Sequence, residues 1–339
     1  MHVIGLDIGG ANIKAASSDG RAFAMEFAIW KSPSRLQHVL SQVLGRYEKA
    51  DYLAVTMTAE LADCFITKSE GVAFILDAVS SAAATVPIAV WQTGSEFVAP
   101  NVAREIPLLV AAANWHALAT WAGRMVPHGA SLLIDVGSTT TDIIPLENGL
   151  PVPVGFTDAE RLQSGELVYS GVRRTPVCAL TGAVPFRGAM CPVAAELFAT
   201  MLDVYLLLGE IAKDESDCNT ANAKPATKSA AHDRLARMLC CDRSELPRDE
   251  AESIARYLAD VQKKLISSAI DRVLARRPID CAHVLLSGSG TFLARSVVAS
   301  HPALRGAQWI SLEESMSPDI AAAACAFAVA RLANERLTL

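Results

Sequence analysis

The sequence predicts an α/β fold in two similar halves, and three observations carry that expectation. Short apolar runs of period two alternate with stretches of helical period along most of the chain. A strand–turn–strand device, "GLDIGGANIKAA" from Gly5, returns as "LIDVGSTTTDII" from Leu133. The 339 residues, 51% of them hydrophobic, supply enough apolar material for two or three domains with cores of their own.

The first expected strand is 2–8, where Val3, Ile4, Leu6 and Ile8 end at Gly9-Gly10, a hairpin turn into 13–17. Further strands are expected at 22–29, 52–56, 87–92, 131–136, 142–146, 282–287 and 308–311. Helical periodicity marks 34–49, 71–84, 108–123, 193–211, 230–239, 249–276, 292–300 and 319–334. Pro318 and Asp319 suit the first turn of the last helix, where a missing N–H costs nothing and an acid meets the positive end of the helix dipole. The segment 249–276 reads as a surface helix with one solvated face. The polar stretch 213–229 reads as an exposed loop.

Aligning the two hairpins pairs Asp7 with Asp135, Gly9 with Gly137, Gly10 with Ser138 and Lys14 with Asp142. A plain hairpin accounts for the glycines but not for an acid at the mouth of a buried strand. Such a carboxylate costs several kcal/mol unless a cation or donors compensate it (~2–7). Tight turns of small residues bring backbone N–H groups close to an anion. Gly9, Gly10 and Asn12 on one turn, with Gly137, Ser138, Thr139 and Thr140 on the other, are therefore candidate phosphate contacts. Asp7 and Asp135, facing each other across a cleft, would hold Mg²⁺, which takes few carboxylates alongside waters and phosphate oxygens. Lys14 would bring a mobile positive charge to the same phosphates. The alternative for the Ser-Thr run is an ordinary polar turn. A third glycine turn, Gly288 and Gly290 in "VLLSGSGTFLA", follows a buried strand and opens a helix. Alone it falls short of a dinucleotide fingerprint and equally fits a plain strand-to-helix turn; beside two phosphate hairpins it reads as a ligand-facing turn.

A net charge of -6 with no basic stripe argues against nucleic acid. Apart from the alanine-rich C-terminal segment, which reads as a buried helix, no apolar stretch reaches the ~18 residues of a membrane span. The chain enters its first strand directly, so no signal peptide is expected and a cytoplasmic setting follows. The eight cysteines form no C-x-x-C and no histidine pair forms H-E-x-x-H, which points to reduced, mostly buried thiols and not to zinc or redox chemistry.

Two D-x-G-[GS] hairpins and a late strand–GSG–helix resemble the phosphate and adenosine motifs of the actin, sugar-kinase and Hsp70-like ATPase fold. Beyond them, "TMTAELAD" from Thr56, "AAANWHALA" from Ala111, "RLQSGELVYSGVRRTPV" from Arg161 and "ELFATMLDVYLLLG" from Glu196 resemble the hydantoinase/oxoprolinase family. The resemblance covers nearly the whole chain and is to the branch linked with tetrahydromethanopterin-dependent one-carbon metabolism. It implies two RNase-H-like domains, 1–113 with 319–339 and 114–318, the second with a helical insertion, closing on a Mg²⁺–phosphate ligand. It implies a transferase of methanofuran-type cofactor synthesis, in which an aminomethylfuran methyl diphosphate meets the phenol of a tyramine or tyrosine unit and diphosphate leaves. Two alternatives remain on the same fold, an ATP-dependent kinase or amide hydrolase and a nucleotide-binding sensor. The motifs leave the oligomeric state open, a homo-oligomer included.

Glu60 follows a buried strand and is a candidate general base for a phenol, or a partner for a magnesium-bound water. Its alternative is a first-turn helix carboxylate beside Leu61. Arg173 and Arg174 fit a phosphate or carboxylate grip, against surface salt bridging. Gln163, Glu166 and Tyr169 share that segment as a candidate substrate wall. Asn114 and His116 read as a core amide and imidazole in an apolar helix.

Overall fold

The computed structural model describes residues 1–276 and 281–337. In the first half, β1 (Val3–Ile8), β2 (Asn12–Ser17), β3 (Ala22–Glu26), β4 (Tyr52–Met57), β5 (Ile88–Gln92) and β6 (Glu96–Val98) form a sheet of order β3-β2-β1-β4-β5-β6. In the second, β7 (Ala130–Val136), β8 (Thr141–Glu147), β9 (Leu150–Pro151), β10 (Leu167–Val168), β13 (His283–Ser287) and β14 (Gln308–Ser311) give the order β10-β8-β7-β13-β14, with β9 on β8. β11 (Ala183–Phe186) and β12 (Ala189–Pro192) make a separate hairpin. With the edge strands β6 and β9 set aside and the rest numbered within each half, both sheets read 3-2-1-4-5. The first three strands are antiparallel and the next two run parallel to the first. This is the RNase-H-like arrangement, present twice.

The helices that position the site are α1 (Leu36–Leu44), α2 (Lys68–Ala83), α3 (Asn114–Ala122), α4 (Asp158–Ser164), α5 (Met201–Leu208), α6 (Lys228–Arg237), α7 (Arg248–Arg276), α8 (Thr291–Ser300) and α9 (Ala324–Arg336). Strand alternation assigns each sheet two apolar faces. Ile4, Leu6 and Ile8 of β1 pack with α1 and α2, whereas Val3 packs with Ala330 and Ala333 of α9. Leu132, Ile134 and Val136 of β7 join α5, α6, α7 and α8, whereas Leu133 meets Leu118 of α3 and Ala328 of α9. Helices α3 and α9 therefore share cores with both sheets. Alanines on α9 keep its bulk small enough for that position, and its burial explains why it is apolar nearly all round.

Several boundaries differ from expectation. The helix expected over 108–123 is broken: Pro107–Val110 ends where Ala112 takes φ 48° and Ala111 bridges Met57, and α3 starts afresh at Asn114. The helix expected over 193–211 exists only as α5. Ala194 donates instead to the Met238 carbonyl, and Thr200 begins the helix with a capping box to Asp203. The last helix divides at Ala323. Helix α4 was not expected, although Thr157 and Glu160 carry the T-x-x-E signal that starts it. No helix among the described residues is long and apolar enough to cross a membrane.

Candidate active site at the paired hairpins

The two hairpins repeat in geometry as well as in sequence. The Gly9 N–H donates to the Asn12 carbonyl at 2.9 Å, and the Gly137 N–H to the Thr140 carbonyl at 2.8 Å. Asp7 pairs in register with Lys14, and Asp135 with Asp142. Among the described residues, the amides of Gly10, Ala11, Ser138, Thr139 and Thr140 have no acceptor. Two sets of free N–H donors thus lie at the ends of strands that carry the carboxylates, an arrangement suited to phosphate oxygens.

The carboxylates share one electrostatic environment. Asp7 is buried, and its Oδ1 has no hydrogen-bond partner among the described residues. Burial raises its pKa, while Lys14 and the Asn114 side chain pull the other way. Asp135 is pushed up to about 6, chiefly by burial and Asp142, with Asp7 adding to the rise and Lys14 and Ser287 opposing it. Lys14 lowers both acids and Asp7 raises Asp135, so the three groups feel one another's charge. The buried Cys325 thiol, at the start of α9, is raised well above its ordinary value by burial and by Asp7 and Asp135. Such a thiol stays protonated and is no nucleophile. Among the described residues no group of three His, Cys, Asp or Glu side chains is placed to hold a metal. A two-carboxylate site matches a Mg²⁺ ion that takes its other ligands from water and phosphate.

The third glycine turn sits behind Asp135. Gly288 has φ +89°, and a Cβ there would lie 2.4 Å from Asp135 Oδ1 and 2.3 Å from the Val136 carbonyl. The Gly290 N–H donates to the same carbonyl at 2.8 Å, so it is not a free donor to a ligand. This turn backs the carboxylate; Ser289 is its exposed residue.

The loop before α5 clamps the second hairpin. Val172 N–H donates to the Gly137 carbonyl at 3.0 Å, and the Arg173 and Arg174 amides both reach the Ser138 carbonyl, at 3.0 and 2.9 Å. The Arg173 side chain is paired with Asp217. Arg174 is exposed and lies 5.4 Å from the ring centroid of Trp30, whose neighbour Ile29 donates to the Gly10 carbonyl. Arg174, unlike Arg173, has no ion-pair partner among the described residues, and it reaches Trp30 of the other half. Glu166 is not part of a substrate wall: it is buried, and its oxygens accept from Val154 N–H (2.6 Å), Gly155 N–H (2.9 Å) and Ser164 Oγ (2.9 Å). Three structural donors satisfy it, leaving nothing for a ligand. Gln163 is exposed near the end of α4, where its carbonyl accepts from Arg276, and Tyr169 is exposed.

Glu60 is 1% exposed, and its Oε2 has no partner among the described residues. Burial pushes it up to about 7, with Lys68 lowering and Asp158 raising it. Lys68 and Asp158 themselves pair at 3.8 Å, joining α2 of one half to α4 of the other. A buried carboxyl that titrates near neutrality suits a general base. It also has a stability consequence. Between about 4.5 and 7 the folded chain holds a proton that the unfolded chain has released, so this group's contribution to stability is lost as pH rises. Glu60→Gln removes that dependence. In ligand-free protein the variant's Tm should match wild type near pH 4.5 and exceed it at pH 8, by a stability difference of about 3 kcal/mol. Parallel Tm curves for the two proteins from pH 4.5 to 8 would contradict this.

Arg161 was not singled out from the sequence. It is buried, donates to Asp142 Oδ1 at 2.7 Å and to the Glu166 carbonyl at 3.1 Å, and lies 3.9 Å from the Trp115 ring centroid. It fixes the residue in register with Asp135. Asn114, expected as a core amide, reaches the Asp7 environment. His116 matches its expectation: burial, Arg161 and Arg336 hold it down to about 4, a neutral imidazole among Trp91 and Trp115.

Two RNase-H-like sheets, each opening with an acid-bearing hairpin, define a two-domain α/β protein of the actin-like ATPase fold. The hydantoinase/oxoprolinase family model matches residues 51–336, and the chain belongs to that family. A Methanocaldococcus jannaschii protein named (4-{4-[2-(gamma-L-glutamylamino)ethyl]phenoxymethyl}furan-2-yl)methanamine synthase is 33% identical over 340 residues, covering 99% of each chain. A Methanococcus vannielii protein of the same name is 30% identical over 206 residues, 61% of this chain and 91% of its own. Among solved structures, a non-polymerising mutant of MamK bound to AMPPNP aligns over 97% of this chain and 98% of its own, with 12% identity and a TM-score of 0.48.

Proposed function

We propose that the chain is a diphosphate-releasing transferase that builds the aryl ether of a methanofuran-type cofactor. The observation that supports it most is full-length similarity to a synthase named for its product, a furanylmethyl ether of a glutamyl-tyramine phenol. In this reading an aminomethylfuran methyl diphosphate lies with its phosphates on the two hairpins. The phenol oxygen bonds to the furanylmethyl carbon, and the carbon–oxygen bond to diphosphate breaks. The leaving diphosphate takes the bonding electron pair, and Glu60 Oε2 takes the phenol proton.

The furan ring stabilises positive charge on the methyl carbon, so the protein's main task is holding the departing anion. In this reading the amides of Gly10, Ser138, Thr139 and Thr140, which carry no acceptor among the described residues, and the Lys14 ammonium hold it. Arg174 adds charge at the mouth. Asp7, with its unpartnered buried oxygen, and Asp135 are the residues that would hold Mg²⁺, which when bound supplies charge neutralisation to the leaving group. The same reading divides the chain at 113/114 and 318/319, with the site between the parts. The test is direct. Purified protein given the furan diphosphate, a glutamyl-tyramine phenol and Mg²⁺ should release pyrophosphate and form the ether. Substrate-dependent ADP from ATP, with no pyrophosphate, would replace this reading by a kinase or amide hydrolase.

A further inference from the structure

Helices α2 and α4 begin alike, one in each half. Thr67 caps α2 and accepts from the Glu70 amide at 3.1 Å, while Glu70 Oε2 accepts from Ile66 N–H at 2.9 Å. Thr157 caps α4 and accepts from the Glu160 amide at 3.4 Å, while Glu160 Oε2 accepts from Phe156 N–H at 2.9 Å. An apolar residue just before such a cap ordinarily packs against the fourth helical residue. Neither does here. The fourth residue of α2 is Gly71, and a Cβ there would strike the Glu60 carbonyl oxygen at 2.1 Å. The fourth residue of α4 is Arg161, turned inward onto Asp142 and Trp115. Ile66 is left 91% exposed and Phe156 43% exposed.

The first residues of these two helices, Lys68 and Asp158, are the pair that bridges the halves. Two unstapled apolar side chains therefore stand two residues before either end of the bridge. The start of α2 presses on the backbone of Glu60, whose Oε2 is buried without a partner among the described residues. A buried acceptor of this kind can take an O–H donor, and two exposed apolar side chains can take a hydrocarbon face. A phenol supplies both, whereas a diphosphate supplies neither.

We propose that Ile66 and Phe156, with the Lys68–Asp158 bridge between their helices, form an acceptor gate that takes the aromatic ring of a phenol and delivers its hydroxyl to Glu60. This rests on the transferase reading and assigns the acceptor its place in that site. The phenol enters as Lys68 parts from Asp158, and its ring is held between one side chain from each half. Both side chains are on the surface, so polar replacements leave the cores untouched.

The test is the full-length double variant Ile66→Ser/Phe156→Ser, with Phe156→Leu as the conservative comparison. The double variant should raise KM for the glutamyl-tyramine phenol about tenfold, a loss consistent with an aromatic and an aliphatic contact. KM for the furan diphosphate should stay within about twofold, and Phe156→Leu should recover most of the phenol affinity. An unchanged phenol KM, or equal rises for both substrates, overturns the gate. Calorimetric titration with the phenol alone separates this from the parent reading. If wild type releases no pyrophosphate yet binds the phenol, and the double variant binds it about tenfold more weakly, the gate stands and the transferase reading falls. Equal phenol binding by both proteins, or none by wild type, overturns the gate whatever the turnover.

Discussion

Asp7→Asn and Asp135→Asn should each lower turnover by about a thousandfold or more, with no loss of fold. Neither carboxylate has a structural role that its amide would fail to fill. Asp7 Oδ1 is buried and unpartnered among the described residues, and Asp135 is crowded by Asp142 and Asp7. Fold stability alone gives no reason to keep a second acid at such a place, since like charges penalise one another. The charge is useful only when a cation and an anionic ligand arrive. Asparagine keeps the shape and removes the charge, so the ligand-free Tm should hold or rise slightly. The thermal shift produced by Mg²⁺ with pyrophosphate should vanish in both variants. Near-normal turnover by either variant at saturating Mg²⁺ would remove the carboxylate pair from the site.

The paired acids were legible because the device is local and occurs twice. An apolar strand, an acid, a four-residue turn and a return strand can be read within a dozen residues, and the structure closes both turns with the same hydrogen bond. Glu60 was legible for a similar reason, as an acid straight after a buried strand. Partners from different elements were not legible. The value of Arg161 depends on Asp142 and Trp115, and nothing in its own neighbourhood announces an inward turn. Glu166 looked like a site residue because its motif is polar, yet its carboxylate serves the Val154–Gly155 backbone. Helical period misread 193–200: the chain bends there, with Ala194 bonded to Met238 and Thr200 bridged to Pro176, and Leu197 and Phe198 remain exposed, so the apolar spacing did not report a buried face. The T-x-x-E starts of α2 and α4, by contrast, were printed in the sequence. Their importance emerges only once the Lys68–Asp158 contact places them side by side.

Lys14→Ala and Glu60→Gln should separate a transferase from a kinase by different kinetic signatures. If departure of diphosphate leads the reaction, negative charge grows on it before the phenol oxygen is fully bonded. Lys14, which acts on both Asp7 and Asp135, then contributes mainly in the transition state. Its loss should lower kcat more than it raises KM. A charge-assisted hydrogen bond of about 1.5–3 kcal/mol corresponds to a fall of about 10- to 150-fold. Glu60 should show in the pH profile. It accepts a proton only when ionised, so the wild-type rate should climb with pH and level off above about 7. In Glu60→Gln that limb disappears. The remaining rate should instead rise steadily toward pH 10, because a phenol with a pKa of about 10 ionises without a base. The gap between variant and wild type therefore narrows at high pH. An aliphatic alcohol acceptor remains protonated across that range and offers no such recovery. A Glu60→Gln profile that stays flat from pH 7 to 10, together with a Lys14→Ala effect confined to KM, would count against rate-limiting diphosphate departure to a phenol.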